Sequence, residues 1–185
     1  MIGFIQQMIN GLSIGSVYAL MAVGYSLVYS IMNFSNFAHG GVIMIGSYIG
    51  FFCISLLNFS FPVAFVTAAL GSGILAIIVE RVAYNPLRKR NAPFLYFIIS
   101  AMGASIFLEN IVVATIGPTF RTYPPVFSAT PIQIGALTIG RLDVLMFVIS
   151  AISLSILVYI IEKTKIGLAI RATSYSSKGS TLMGV

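Results

Sequence analysis

The sequence predicts an all-α fold, a polytopic transmembrane helical bundle with about five spans, and three observations support this prediction. First, 58% of the 185 residues are hydrophobic and only 8% are charged, whereas soluble domains carry about 25% charged residues. Second, the apolar residues form continuous runs and do not alternate with polar ones, which argues against a transmembrane β-barrel. Third, the runs approach the roughly 20 residues that a helix needs to cross the hydrocarbon core of a membrane.

The predicted spans cover residues 8–31, 41–58, 61–80, 94–117 and 142–161. No basic residue precedes the first run, so this run is interpreted as a span and not as a removable signal. The stretch Asn33–Gly41, which separates the first two runs, fits neither a clear loop nor a clear helix. The whole chain, 1–185, is interpreted as one membrane-embedded domain.

The basic residues predict the orientation of these spans. Eight of the ten follow the third or the fifth run: Arg81, Arg88, Lys89, Arg90, Lys163, Lys165, Arg171 and Lys178. The positive-inside rule assigns both segments to the cytoplasm, and anionic lipid accounts for the positive net charge without nucleic acid as a partner. The proline-rich loop 118–141 then faces outward, as a passive connection or as a docking surface. The N-terminus also lies outside if Asn33–Gly41 is a turn.

Small residues recur four positions apart in two of the runs. They are Gly11, Gly15 and Ala19 in the first run, and Gly46 and Gly50 in the second. Because such faces let helix backbones approach closely, we expect both faces to pack against neighbouring helices.

The sequence predicts no enzyme activity, no cofactor and no metal site. It contains one cysteine and one histidine, and it carries no catalytic motif and no Walker A loop for nucleotide phosphates. Any ATP hydrolysis would therefore reside in partner subunits.

Polar side chains near or within the spans are the candidate functional groups. Asn33, Asn36 and His39 lie between the first two runs. At membrane depth they would need partners or the water of a translocation pathway, whereas at the interface they would form a solvated turn. Glu109 lies within the fourth run, where an ionisable residue usually faces a cavity. Alternatively, Glu109 reaches toward the outer headgroups or pairs with Asn110.

Several strings along the chain follow the order of one known family. They are Gly11–Leu20, Gly24-Tyr25, Asn36-Phe-Ala-His-Gly40, Glu80–Arg88, Gly117-Pro118, Arg141–Asp143, Thr164–Ala172 and Leu182–Val185. These strings resemble the permease family of ATP-binding cassette transporters for branched-chain amino acids, of the high-affinity leucine, isoleucine and valine type. The resemblance covers nearly the whole chain.

The resemblance implies a membrane-spanning permease subunit of an importer for branched-chain amino acids, or for related small solutes such as urea or amides. It implies a bacterial-type inner membrane as the location. The implied partners are a second permease subunit, cytoplasmic ATPase subunits and an external solute-binding protein.

The resemblance also suggests roles for individual residues. Together with Asn33 and Glu109, the matching string adds these candidates for the translocation pathway: Asn36, Phe37, His39 and Gly40. The candidates for the loop that couples to the ATPase are Gly167, Arg171, Ala172 and Gly184.

The chain departs from the family pattern in three places. The stretch Thr173–Thr181 replaces acidic and alanine-rich residues, and Glu109 stands where a neutral residue such as glutamine is expected. Family members also continue into further spans, so the chain is expected to lack the C-terminal spans of its family. Two other hypotheses are therefore a self-contained channel for small neutral solutes, constricted at Asn33–His39, and an inactive permease fragment.

Overall fold

A computed structural model of the protein describes residues 2–124, 132–134, 137–175 and 179. In chain order its elements are α1 (Ile2–Met32), α2 (Ala38–Ser55), α3 (Phe61–Val79), a π-helical turn (Glu80–Tyr84), α4 (Asn85–Lys89), α5 (Phe94–Ile116), β1 (Ile132–Ile134), β2 (Leu137–Ile139), α6 (Arg141–Lys163) and α7 (Lys165–Tyr175). Within the described residues, five helical stretches are long and apolar enough to cross a membrane. The protein is therefore an all-α, multi-pass membrane protein, as the sequence predicts. Its two short strands form one antiparallel hairpin.

The chain divides into two compact units. The α1–α6 unit comprises Met1–Asn33 and Phe127–Val185, and the α2–α5 unit comprises Phe34–Val126. The polar turn that follows α1 thus coincides with the boundary between the units.

The second span lies three residues earlier than predicted at each end. Helix α2 begins at Ala38 because the amide oxygen of Asn36 accepts a hydrogen bond from the Ala38 N–H at 3.1 Å, which starts the first turn. At the other end Asn58 has a φ of 52°. This left-handed conformation, which asparagine tolerates better than most residues, ends the helical path.

The third span continues beyond its apolar run. The sequence predicts an end near residue 80, whereas the helical path extends through the π-helical turn and α4 to Lys89. Pro86 explains the wider turn, since a proline ring in a regular α-helix clashes with the carbonyl four residues earlier. The Asn85 N–H accordingly donates to the Glu80 carbonyl, five residues earlier. The basic residues after the third run are thus carried on a helix.

In the α1–α6 unit, α1 and α6 run parallel. The Ser13 hydroxyl, in the first half of α1, donates to the carbonyl of Asp143, near the start of α6, at 3.1 Å. Near the end of α1 the Ser174 hydroxyl, on the helix that follows α6, donates to the carbonyl of Ser30 at 2.9 Å. The start of α1 and the start of α6 therefore lie at the same end of this unit, in agreement with the orientation that the charge pattern predicts.

In the α2–α5 unit, glycines allow α2 to pack closely against its neighbours. A Cβ on Gly46 would lie 3.1 Å from the Cβ of Ser72 on α3, and one on Gly41 would lie 3.1 Å from Leu108 on α5. The predicted packing face of the second run is thus confirmed. For Gly11 and Gly15 on α1, no such neighbour lies within 4 Å among the described residues, so the prediction for that face is not met within this part of the chain.

Candidate functional site

The polar turn before α2 is fastened to the end of the third span by Asn36. The Tyr84 hydroxyl donates to the Asn36 amide oxygen at 2.6 Å, and the same oxygen accepts the Ala38 N–H. This oxygen therefore accepts two hydrogen bonds, one from a side chain and one from the backbone. Asn36 therefore links the turn before α2 to the π-helical turn.

Aromatic rings surround this hydrogen bond and exclude solvent from it. Phe34 is 3% exposed and Tyr84 is 2% exposed, and their rings meet edge to face with centroids 5.1 Å apart. Phe97 of α5 adds a third ring, 5.2 Å from Phe34. Nearby, the Ser100 hydroxyl donates to the Ala83 carbonyl at 2.9 Å. We call this group of residues, with Asn36, the Asn36 cluster.

The other pathway candidates in this stretch have different surroundings. Asn33 is exposed at the end of α1 with a φ of 56°, and its N–H donates to the Tyr29 carbonyl at 2.8 Å, so it acts as a helix C-cap. Phe37 is 47% exposed. His39 and Gly40 lie in the first turn of α2, half-buried and exposed respectively. The stretch is therefore a turn over Asn33–Phe37 followed directly by helix.

Glu109 lines a separate cavity of about 570 Å³, which we call the Glu109 pocket. It lies between α2, α5 and the segment that follows α5. Its lining residues are Met44, Ser47, Tyr48, Phe51, Glu109, Val112, Val113, Gly117, Pro118, Thr119, Phe120, Arg121 and Tyr123. The volume is within the range of roughly 300–1,000 Å³ that is typical of small-molecule sites.

The segment after α5 covers this pocket because Tyr123 anchors it to α2. The Tyr123 hydroxyl donates to the Ser47 carbonyl at 2.6 Å, and its ring packs edge to face against Phe51 at 5.6 Å. A Cβ on Gly50 would lie 3.3 Å from the Tyr123 hydroxyl. The glycine at this position therefore leaves room for the tyrosine, which holds the segment across the pocket.

Two predicted pathway groups are thus not brought together. Glu109 lines the pocket, whereas none of the pocket-lining residues belongs to the stretch 33–40. The two features follow one another along α2 and are separated by the close contact between Gly41 and Leu108. Glu109 does not adopt the alternative pairing with Asn110, since the Asn110 amide donates to the Ile106 carbonyl and Glu109 accepts from Ser105.

The predicted coupling residues lie on α7, which turns sharply away from the end of α6. Gly167 is buried, and a Cβ there would collide with the backbone carbonyl oxygens of Ile160 and Ile161. Thr164 joins the two helices, because its hydroxyl donates to the Ile160 carbonyl at 2.6 Å and accepts the Gly167 N–H at 3.0 Å. Only glycine fits this junction as it is built.

The remaining coupling candidates differ in their exposure to solvent. Arg171 is exposed and its guanidinium donates to the Glu162 carbonyl at 3.5 Å, whereas Ala172 is half-buried. Ser174 contacts α1, with its hydroxyl 2.6 Å from that of Ser30. Gly184 lies outside the described residues.

Several residues of these sites were not singled out by the sequence. Phe34, Phe97 and Tyr123 look like ordinary apolar or loop residues, and their roles depend on partners far away in the chain. Tyr84 occurs in one of the strings that match the known family, which was the only available signal. Arg121 lies outside the two basic segments, and no sequence pattern singled it out.

Comparison with known proteins places this geometry in context. The sequence model of the family described as the permease component of branched-chain amino acid transport systems matches residues 7–185. No solved structure matches the chain.

Several curated proteins are similar over almost all of the chain. The high-affinity branched-chain amino acid transport system permease protein BraD of Pseudomonas aeruginosa is 36% identical over 98% of this chain and 62% of its own length. The corresponding permease proteins LivH of Salmonella typhimurium and Escherichia coli K12 are 37% and 35% identical, over the same shares of each chain. The chain thus spans about 62% of the length of these relatives.

Proposed function

The chain belongs to the family of branched-chain amino acid transport permeases, and from this premise we propose that it acts as a membrane-spanning permease subunit of an ATP-binding cassette importer for branched-chain amino acids. The observation that carries this proposal is the 35–37% identity, over 98% of the chain, to three proteins named as permeases of such systems. Its location is the inner membrane of a bacterial-type cell. The five apolar helical stretches support a multi-pass arrangement there.

In this proposal the energy comes from partner subunits. Cytoplasmic ATPase subunits bind and hydrolyse ATP, a second permease subunit completes the membrane part, and an external solute-binding protein delivers the solute. The chain itself contributes the passage and the surface on which the ATPases act.

In this proposal, helix α7 is the element on which the ATPase subunits act. Arg171 is exposed on it and offers a charged contact, whereas Gly167 lies at the junction with α6 and Ala172 is half-buried. The Ser30–Ser174 contact ties α7 to the end of α1. A displacement of α7 would therefore move α1 and α6 together, as rigid elements that alternate between two arrangements.

The stretch before α2 contributes to the passage in two ways. Asn36, with its oxygen occupied by Tyr84 and Ala38, shapes the entry to α2. Phe37 and Gly40 are exposed and, with Asn33 and His39, line the passage. The Glu109 pocket forms its outer part.

Purification of the tagged chain from the membranes of a bacterial strain tests the proposal. The tagged chain is produced in a bacterial strain that lacks its own branched-chain amino acid permease, and it is extracted in mild detergent. We expect ATPase subunits and a second permease to co-purify, and membrane vesicles to take up radiolabelled leucine only when ATP is supplied. Leucine uptake that does not need ATP would contradict the proposal and favour a self-contained channel.

A charge reversal on α7 sharpens this test. We expect Arg171→Glu to reduce the amount of ATPase that co-purifies, because the cation lies on the proposed contact helix. Arg90→Glu is the matched control, since Arg90 is an exposed cation at the end of α4. Equal loss in both variants would contradict a specific role for α7.

A further inference from the structure

Glu109 is an exposed acidic side chain on α5, one of the helices long and apolar enough to cross a membrane. It lies seven residues before the end of α5 at Ile116, which is about 10 Å along the helix axis. One of its oxygens accepts a hydrogen bond from the Ser105 hydroxyl at 3.0 Å. Among the described residues, no basic side chain forms an ion pair with it. A charge in this position is costly unless a partner or water compensates it.

The surroundings of Glu109 are suited to a cation. The rings of Tyr48, Phe51 and Phe120 line the same pocket, and the face of an aromatic ring attracts a positive charge. The apolar side chains of Met44 and Val113 complete the lining with surface that a hydrocarbon group can cover. The pocket thus combines the acidic Glu109 and the basic Arg121 with aromatic and aliphatic walls.

Arg121 also lines the pocket, but it forms no ion pair with Glu109 in this structure. Its guanidinium donates to the carbonyl of Ile116 at 3.4 Å, at the outer end of α5, where the helix dipole favours a cation. The Glu109 side chain extends the other way, toward Ser105. The rise between residues 109 and 116 alone separates the two groups by about 10 Å. Arg121 therefore stays at the rim, and the carboxylate remains available to a ligand.

We propose that Glu109 makes this pocket a binding site for the ammonium group of a small solute with an apolar side chain, so that the chain selects amine-bearing solutes over neutral amides. This inference rests on the proposed function, in which the pocket forms the outer part of the passage. A hydrogen bond between an ammonium group and a carboxylate is roughly twice as strong as one between neutral groups. A neutral amide such as urea leaves the negative charge uncompensated.

Binding to the purified chain tests the selection without any partner subunit. Cys53 is buried and is the only cysteine in the sequence, so a thiol-reactive fluorescent dye reports thermal unfolding when this residue becomes accessible. The probes are leucine and 3-methylbutylamine, which carry an ammonium group, and 4-methylpentanamide, a neutral compound of similar size. We expect the two ammonium compounds to raise the unfolding midpoint in a saturable way, and the amide to have little effect.

Variants at position 109 connect the effect to the carboxylate. We expect Glu109→Gln to weaken binding of 3-methylbutylamine by roughly tenfold or more, as for the loss of a charge-assisted hydrogen bond. Glu109→Asp keeps the charge and should keep the preference for the ammonium compounds. Glu162→Gln is the matched control, because Glu162 is exposed on α6 and does not line the pocket.

The inference is overturned if the amide binds as tightly as the amine, if Glu109→Gln binds the amine with unchanged affinity, or if no probe shifts the midpoint. These outcomes differ from failure of the proposed function, which is judged by co-purification and by ATP-dependent uptake. If the chain binds the amine selectively but recruits no ATPase, the result supports the binding site and contradicts the proposed importer function.

Discussion

The hydroxyl of Tyr84 donates a 2.6 Å hydrogen bond to the amide oxygen of Asn36, 48 residues earlier in the chain. Both ends of this bond occupy unusual backbone. Asn36 lies in the turn that starts α2, and Tyr84 ends the π-helical turn that accommodates Pro86. One buried bond therefore fixes two irregular segments, each of which would otherwise depend on local geometry alone. This relationship makes the Asn36 cluster the structural anchor of the α2–α5 unit.

Removal of the tyrosine hydroxyl tests this anchor. We expect Tyr84→Phe to lower the free energy of unfolding in detergent by about 1 kcal/mol, because the Asn36 oxygen loses a buried donor while the aromatic packing stays. Thermal unfolding followed through Cys53 measures the change. Tyr159→Phe is the control, since Tyr159 is 64% exposed on α6.

A double-mutant cycle separates the bond from general packing. If the hydrogen bond causes the effect, Tyr84→Phe should lower the free energy of unfolding much less in an Asn36→Ala background than in the parent chain. Additive losses in the double variant would show that the two side chains act independently.

Substitution of Gly167 tests the junction between α6 and α7. We expect Gly167→Ala to displace α7, because the added Cβ meets the fixed carbonyls of Ile160 and Ile161, and backbone cannot yield as a flexible side chain can. A cysteine pair, Ser30→Cys with Ser174→Cys in a Cys53→Ala background, reports the position of α7, since the two hydroxyls are 2.6 Å apart.

The disulfide between these cysteines should form readily in the parent chain and much more slowly with Gly167→Ala. Gly103→Ala is the matched control, because a Cβ at that position on α5 meets nothing within 4 Å among the described residues. Rapid cross-linking with Gly167→Ala would contradict the close junction.

Truncation of Gln6 tests how the β1–β2 hairpin is attached to α1. The Gln6 amide donates to the Thr138 carbonyl at 2.6 Å and accepts the Thr138 N–H at 2.9 Å, so it pairs with β2 as another strand would. We expect Gln6→Ala to speed hydrogen exchange at the Thr138 amide by roughly tenfold. Gln7→Ala, one position away and exposed, should leave that rate unchanged.

Hydropathy and charge were sufficient to predict the architecture. All five predicted spans correspond to helices, because a chain in lipid satisfies its backbone hydrogen bonds within each helix and the apolar runs therefore record the spans directly. The boundaries were less accurate. Helix α2 starts at Ala38, whose N–H donates a hydrogen bond to the Asn36 side chain. The third helical stretch continues beyond Val79, where the apolar run ends, because polar residues also form helix.

The candidate sites were predicted only in part. The sequence identified Asn36 and Glu109 as polar groups in apolar surroundings, and left open whether Asn36 lies in a turn and what Glu109 faces. The structure places Asn36 in a turn bonded to Tyr84, and Glu109 in a pocket that Tyr123 also lines. These answers depend on contacts between residues 48 and 76 positions apart, which no local pattern encodes.

The sequence by itself thus predicted the membrane environment, the five apolar helices found among the described residues and the family, because composition, run length and motif strings are local properties. The tertiary structure alone decided which glycines lie against a neighbouring helix and which partners the polar groups of the described residues have. Among the described residues, a Cβ on Gly46 would meet Ser72 whereas one on Gly11 would meet nothing within 4 Å, although both glycines occur in the same GxxxG spacing. The difference arises from the neighbouring helix, and its position follows from the packing of the whole unit.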